Sequence, residues 1–241
     1  MRLDICYDGT RYKGWQRLQG CEQTIQGKLE QTLSRLLCEP IEVSASGRTD
    51  AGTHALGQVV SFHYGGNMTC DEILHGLRQY LPEDIGIYSC KNASQRFHAR
   101  LNAKTKTYRY RLWNTDAPCV FERKFVHIDR REFDVVAMSQ AAQQFIGTHD
   151  FSAFCGNKNM KKSTVRTIHS FNVERYENEI RFTVTGNGFL QHMVRIMVGT
   201  LLEVGLQIRD VDSIPDLFGS ARCDAGTAVP ACGLCLMEVT Y

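Results

Sequence analysis

An α+β fold is predicted for this chain, and three observations predict it. Short runs rich in β-branched and apolar residues recur at 2–7, 41–46, 57–63 and 85–90. Apolar residues at helical spacing fall between them, at 24–38 and 69–81. A second series of strands and helices begins near residue 103, so the strand-helix alternation occurs twice. With 241 residues, 43% hydrophobic and 22% charged, the chain can bury a sizeable core as one domain or as two closely packed halves. The division expected is an N-terminal half, 1–101, and a C-terminal half, 102–241.

Residues 2–7 alternate and read as a strand, turning at Asp8-Gly9-Thr10 toward Tyr12-Lys13-Gly14-Trp15-Gln16. Ile25, Leu29, Leu33, Leu36 and Leu37 share one face of a helix over 24–38, with Pro40 just beyond its end. Thr69 and Glu72 have capping-box spacing, and Ile73, Leu74, Leu77 and Leu81 form the buried side of a second helix. With a strand over 85–90, the first half reads β-α-β-β-α-β. From 103 to 113 the chain alternates again, with Lys104, Lys106, Tyr108, Tyr110 and Leu112 on one side and Arg109 and Arg111 on the other. Residues 119–128 can hold a strand, 134–146 a helix, and 164–176 with 179–186 a hairpin turning at Asn178. An apolar helix is expected to begin within 186–199, with Leu190, Met193, Met197 and Leu201 on one face. Arg195 lies inside it and needs a partner, because a buried unpaired charge is costly.

No apolar run reaches membrane-spanning length, and the opening residues look like a strand, not a signal peptide, so a cytoplasmic protein is expected. The ten cysteines show no pairing rhythm and are expected to be reduced. Cys232 and Cys235 form a CxxC without a second ligand pair, so a strand is preferred to a zinc site there and no metal is expected. A net charge of +2 says little about a polyanionic partner. Local clusters say more: Lys104, Lys106, Arg109 and Arg111 among tyrosines, and Lys158, Lys161, Lys162 and Arg166. A strand with lysines and aromatics facing one way suits unpaired RNA, since bases stack on rings and phosphates meet lysines; a half-buried strand with core tyrosines fits the same pattern.

The stretch with most chemistry lies between the second and third strands. There GRTDAGTHA, residues 47–55, supplies a carboxylate, an arginine, an imidazole and two hydroxyls on a loop held at both ends. Taken alone, these are also ordinary turn residues, and Asp50 could cap a turn. His149-Asp150 looks like a catalytic pair in isolation, but a structural corner anchored by Phe151 and Phe154 is the better reading. His98, beside Phe97, is read as packed or capping.

Several motifs in order resemble the tRNA pseudouridine synthase A family: YDGT with Tyr12-x-Gly14-Trp15-Gln16, GRTDAGTHA with a following GQV, a basic-aromatic stretch at 97–100, the Y-x-Y of 108–110, GTHDFSAF at 147–154, NGFLQHMVRIMVG at 187–199, and the closing GLCLMEVTY. The usual pattern has valine where this chain has Thr53, and often alanine-glycine at Ser46-Gly47. The resemblance implies the pseudouridine synthase fold, a mixed central sheet from two α+β halves with helices on one side and the active-site cleft on the other. It implies isomerisation of uridine to pseudouridine in the tRNA anticodon stem-loop, at positions 38, 39 and 40. Asp50 would be the catalytic residue, as nucleophile or as base, with Arg195 as its ion-pair partner. Tyr108 would stack on the uracil, and Arg48 would support the displaced nucleotide, because a base within a stem must be flipped out to be reached. No group is gained or lost, so no cofactor is implied. A homodimer acting on tRNA is implied, with no membrane involvement. A tRNA-binding protein without catalysis would share the basic strands and aromatics, but would gain nothing from a carboxylate facing phosphates. The same chemistry at other RNA positions is left open by these residues.

Overall fold

The computed structural model describes residues 1–157 and 159–241. Among them the elements run β1 (Arg2–Tyr7), α1 (Ile25–Leu37), β2 (Val43–Ala45), β3 (His54–Phe62), α2 (Cys70–Tyr80), β4 (Ile85–Lys91), β5 (Thr105–Trp113), β6 (His127–Ile128), α3 (Val135–Gln143), β7 (Gly147–Asp150), β8 (Val165–Tyr176), β9 (Glu179–Gly186), α4 (Met193–Gly205) and β10 (Leu234–Thr240). The chain is α+β and forms two compact units, Met1–Lys104 with Leu236–Tyr241, and Thr105–Cys235. The closing residues, grouped by the sequence reading with the second half, thus lie in the first unit. There β10 is hydrogen-bonded beside β3.

In the first unit the strand order is β4-β1-β3-β10, with β2 also on β3. Leu3 faces Val60 on one side and Cys90 on the other, so β1 is central and antiparallel to both neighbours. The helices form where the periodicity places them. α1 buries Ile25, Leu29, Leu33 and Leu37, starts at Thr24, whose hydroxyl accepts from Gly27 N, and stops at Cys38 in a left-handed conformation (φ 56°). α2 starts at the expected capping box, with Thr69 and Glu72 bonded reciprocally.

In the second unit the order is β5-β9-β8-β7, antiparallel throughout, and β6 adds to β5 in parallel. The β8–β9 hairpin turns where expected, with Glu177 at φ 51° beside Asn178. Tyr110, Phe145, Phe151, Phe154, Phe171 and Phe182 are fully buried and form the aromatic core.

Two expectations about this unit are corrected. The strand expected over 119–128 is only His127–Ile128. Pro118 has no N–H to give a ladder, the Trp113 indole closes a turn on Ala117 O (3.0 Å), and Phe121 points outward, 90% exposed. The apolar helix begins at Met193, because His192 before it is left-handed (φ 60°). Leu190 is buried but precedes the helix, so the apolar face expected from residue 190 starts one turn later.

Candidate active site

The 46–53 loop joins β2 to β3, and its backbone is gripped from several directions. Trp15 N donates to Thr49 O (3.0 Å), Gly52 N to Tyr12 O (3.3 Å), and Thr53 N to Asp50 O (3.1 Å). From β3, the Gln58 amide donates to Gly47 O (2.9 Å), while its Oε1 accepts from Ser46 Oγ (2.5 Å). From β1, the Tyr7 hydroxyl meets Thr49 Oγ1 at 2.8 Å. Asp50 is therefore half-buried on a loop whose neighbours on both sides are fixed. Arg48 is exposed at the same bend.

The opening of the chain provides the floor under this loop. Gly14 has φ +96°, and a Cβ there would stand 2.9 Å from Thr49 O and 3.1 Å from Ala51 N. At Gly9 a Cβ would meet Thr53 O at 2.1 Å, and Gly9 N donates to His54 Nδ1 (3.0 Å). These contacts explain why YDGT and YxGWQ accompany GRTD: the turns need glycine so that two backbones can approach closely. Sequence reasoning quoted these motifs but gave Tyr7, Gly9, Gly14, Thr49, His54 and Gln58 no role. Their signal is the glycine spacing and the buried amide of GQV; the contacts of Tyr7 and Gly9 span 42 and 45 residues, and no periodicity reveals them.

In the second unit, Tyr108 lies on β5 opposite Val184, 7% exposed, with its ring edge-on to Phe189 at 5.2 Å. Tyr110 has become core: it is fully buried and its hydroxyl donates to Pro230 O (3.0 Å). Arg195 is half-buried on α4. Its Nε donates to Val229 O (2.7 Å), and Val229 N returns a bond to Arg195 O (3.2 Å). The partner demanded by the apolar helix is thus in part a backbone carbonyl.

The basic stretches divide. Lys104, Lys161 and Lys162 are exposed and Lys106 is half-buried. Arg166 folds back on Ser163 O and Val165 O. Lys158 lies outside the described residues. Arg111 faces Glu179, whose carboxylate also receives Arg181. Burial pushes the Glu179 carboxyl up, but the hydrogen bonds from Arg111 and Arg181 outweigh it and hold its pKa below the ordinary value.

The other candidates are structural. His98 is a cap: its Nδ1 accepts from Arg100 N (3.1 Å). Asp150 Oδ1 accepts from Ser152 N (3.0 Å) and Thr164 Oγ1 (2.6 Å), and His149 stacks on Phe218 at 4.0 Å. Cys232 donates to Val126 O (3.4 Å), burial raises its pKa, and Cys235 lies in β10. Among the described residues, no group of three or more His, Cys, Asp or Glu is arranged to hold a metal ion. None of the helices described is long and apolar enough to cross a membrane.

Comparison with known proteins bears on the loop directly. The profile of the tRNA pseudouridine synthase family matches residues 5–102 and 141–241, which include the whole 46–53 loop and α4. The tRNA pseudouridine synthase A of Bacillus sp. (strain KSM-64) is 46% identical over 242 aligned positions, covering 100% of this chain and 98% of that protein. The tRNA pseudouridine synthase A 1 of Clostridium tetani is 44% identical, covering 100% and 99%. The tRNA pseudouridine synthase A 2 of Bacillus cereus (strain ZK / E33L) is 41% identical, covering 100% and 98%. Among solved structures, a chain of a Cbf5-Nop10-Gar1 complex aligns with 84% of this chain and 45% of its own at 11% identity and a TM-score of 0.36, a likeness too slight to bear on the fold. With a profile match over most of the chain and full-length relatives of this identity, the chain belongs to the tRNA pseudouridine synthase family.

Proposed function

We propose that this chain isomerises uridine to pseudouridine in the anticodon stem-loop of tRNA, at positions 38, 39 and 40. The observation that carries the reading is the Asp50 loop: a carboxylate on the family's GRTD sequence, with the loop backbone held by Trp15 and Gln58 and the Thr49 side chain by Tyr7. A catalytic group benefits from such support because its position sets the rate. In the reaction the bond from ribose C1′ to uracil N1 breaks, the base turns, and C1′ bonds to C5. C5 loses its proton and N1 gains one, so atoms and electrons balance without a cofactor. Asp50 acts in its ionised form, as nucleophile or as base toward the ribose.

Arg195 is assigned as the ion-pair partner of Asp50, and the bond from its Nε to Val229 O supports that role by holding the guanidinium in one orientation. Tyr108 is assigned to stack on the flipped uracil and Arg48 to support the displaced nucleotide. The exposed lysines at 104, 161 and 162 are assigned to phosphates. The working form is a cytoplasmic homodimer on tRNA. The test is to map pseudouridine in total tRNA from cells with and without this protein. Loss at positions 38–40, restored by the native gene, supports the reading. An unchanged map there, or loss only at other positions, refutes the assigned substrate.

A further inference from the structure

We infer that Tyr7 and Gln58 are positioning residues for the Asp50 loop, acting through Thr49 and Gly47; this rests on the reading of Asp50 as the catalytic carboxylate. Gln58 is fully buried on β3, and Tyr7 is 4% exposed at the end of β1. The amide orientation of Gln58 is fixed by its neighbours. Oε1 must accept, because Val59 N donates to it (3.2 Å), and Nε2 must donate, because Gly47 O can only accept (2.9 Å). The same Nε2 lies 3.4 Å from the Tyr7 hydroxyl oxygen. The Tyr7 hydroxyl, receiving an N–H from Gln58, is also hydrogen-bonded to Thr49 Oγ1 at 2.8 Å. One buried side chain thus fixes Gly47 directly and Thr49 through a tyrosine, on either side of Arg48 and up to the residue adjoining Asp50.

The network is made of neutral groups, so it sets position without altering charge. It is also not the only support. Trp15 N on Thr49 O, Gly52 N on Tyr12 O and Thr53 N on Asp50 O remain when the Tyr7 hydroxyl is removed. The unit should therefore stay folded while the carboxylate loses its set position. The Tyr7 ring, 6.2 Å from Trp15, keeps its packing in Tyr7→Phe.

The experiment is a double-mutant cycle on purified protein, with Tyr7→Phe, Thr49→Val and the pair, and Asp50→Asn measured alongside. Single-turnover conversion of a tRNA substrate and tRNA affinity are read at a temperature well below unfolding. Each single variant is expected to slow conversion about 10-fold, with affinity unchanged within about twofold. The pair is expected to be no slower than the slower single, because the bond that Thr49→Val deletes is already lost in Tyr7→Phe, along with the one from Gln58. Two results overturn the inference while leaving Asp50 catalytic: native rates in Tyr7→Phe and Thr49→Val while Asp50→Asn is inactive, or losses that simply multiply in the pair. A near-native rate in Asp50→Asn overturns the underlying reading instead. If Thr49→Val does not fold, Tyr7→Phe decides by its rate at unchanged affinity.

Discussion

The Asp50 loop and the His149–Asp150 corner have nearly the same ingredients and different construction. Each has glycine, threonine, histidine and aspartate in a short span joining two pieces of structure. In the corner, the hydrogen bonds end on the carboxylate itself, from Ser152 N and Thr164 Oγ1, and the histidine is stacked on Phe218. In the loop, the residues around the aspartate are bonded too, at Gly47 O, Thr49 O, Thr49 Oγ1 and Asp50 O. A carboxylate used to cap a turn is spent on the fold. A carboxylate whose flanking backbone is held is presented by the fold. What the loop has, and composition does not show, is this support of the residues flanking its carboxylate.

Substitutions at one glycine of each region should separate the two most strongly. Gly14→Ala meets Thr49 O and Ala51 N at φ +96°, and Gly147→Ala meets the His149 ring at φ +119°. Both should lose about 1–3 kcal/mol of stability through the forced backbone. Only Gly14→Ala should also lose conversion, by about 100-fold beyond any change in folded fraction. Equal activity of the two folded variants would break the comparison. Next in size is Tyr108, beside Phe189. Tyr108→Ala should weaken tRNA binding by about 1–3 kcal/mol, whereas Tyr108→Phe should bind nearly as the native protein does. Indistinguishable binding of Tyr108→Ala and native protein would place this ring wholly in the core.

Glu179, which belongs to neither region, should contribute to acid stability. Its folded pKa lies below the ordinary carboxylate value, so its contribution is complete above about 4.5 and is lost as pH falls through the folded value. In Glu179→Gln that acid-dependent loss should be absent, and stability at neutral pH should be lower by about 2 kcal/mol, since Arg181 loses its carboxylate and Arg111 keeps only Glu122. Denaturant unfolding from pH 3 to pH 7 checks both. The smallest effect is a gain. Thr53 is 2% exposed, and its hydroxyl has no hydrogen-bond partner among the described residues, at the position where the usual family pattern has valine. Thr53→Val should stabilise by about 1 kcal/mol, read as a raised unfolding midpoint. A lower midpoint would show that the hydroxyl is satisfied.

Local signals carried most of the fold. The capping box at Thr69 and Glu72, the face of α1, and the alternation that buries Tyr108, Tyr110 and Leu112 are all set by residues within a turn or two of each other. What failed was decided at longer range or by one backbone angle. The run at 119–128 has strand composition, yet only its last two residues pair, with Leu112 and Trp113. The start of α4 depends on left-handed His192, which apolar periodicity does not register. The destination of β10 depends on a neighbour more than 170 residues earlier in the chain. The candidate site was legible as a motif at Asp50 but not as a construction, because Tyr7, Trp15 and Gln58 reach the loop only through the folded sheet.

The central claim is that the loop presents a catalytic carboxylate while the corner uses its own for structure. Asp50→Asn and Asp150→Asn, purified and assayed on the same tRNA with pseudouridine quantified at each position, test it most directly. The account predicts no detectable conversion by Asp50→Asn with tRNA affinity retained, and conversion by Asp150→Asn within about twofold of native, since asparagine Oδ1 can still accept from Ser152 N and Thr164 Oγ1. Near-native conversion by Asp50→Asn, or equal loss in both variants, would contradict it.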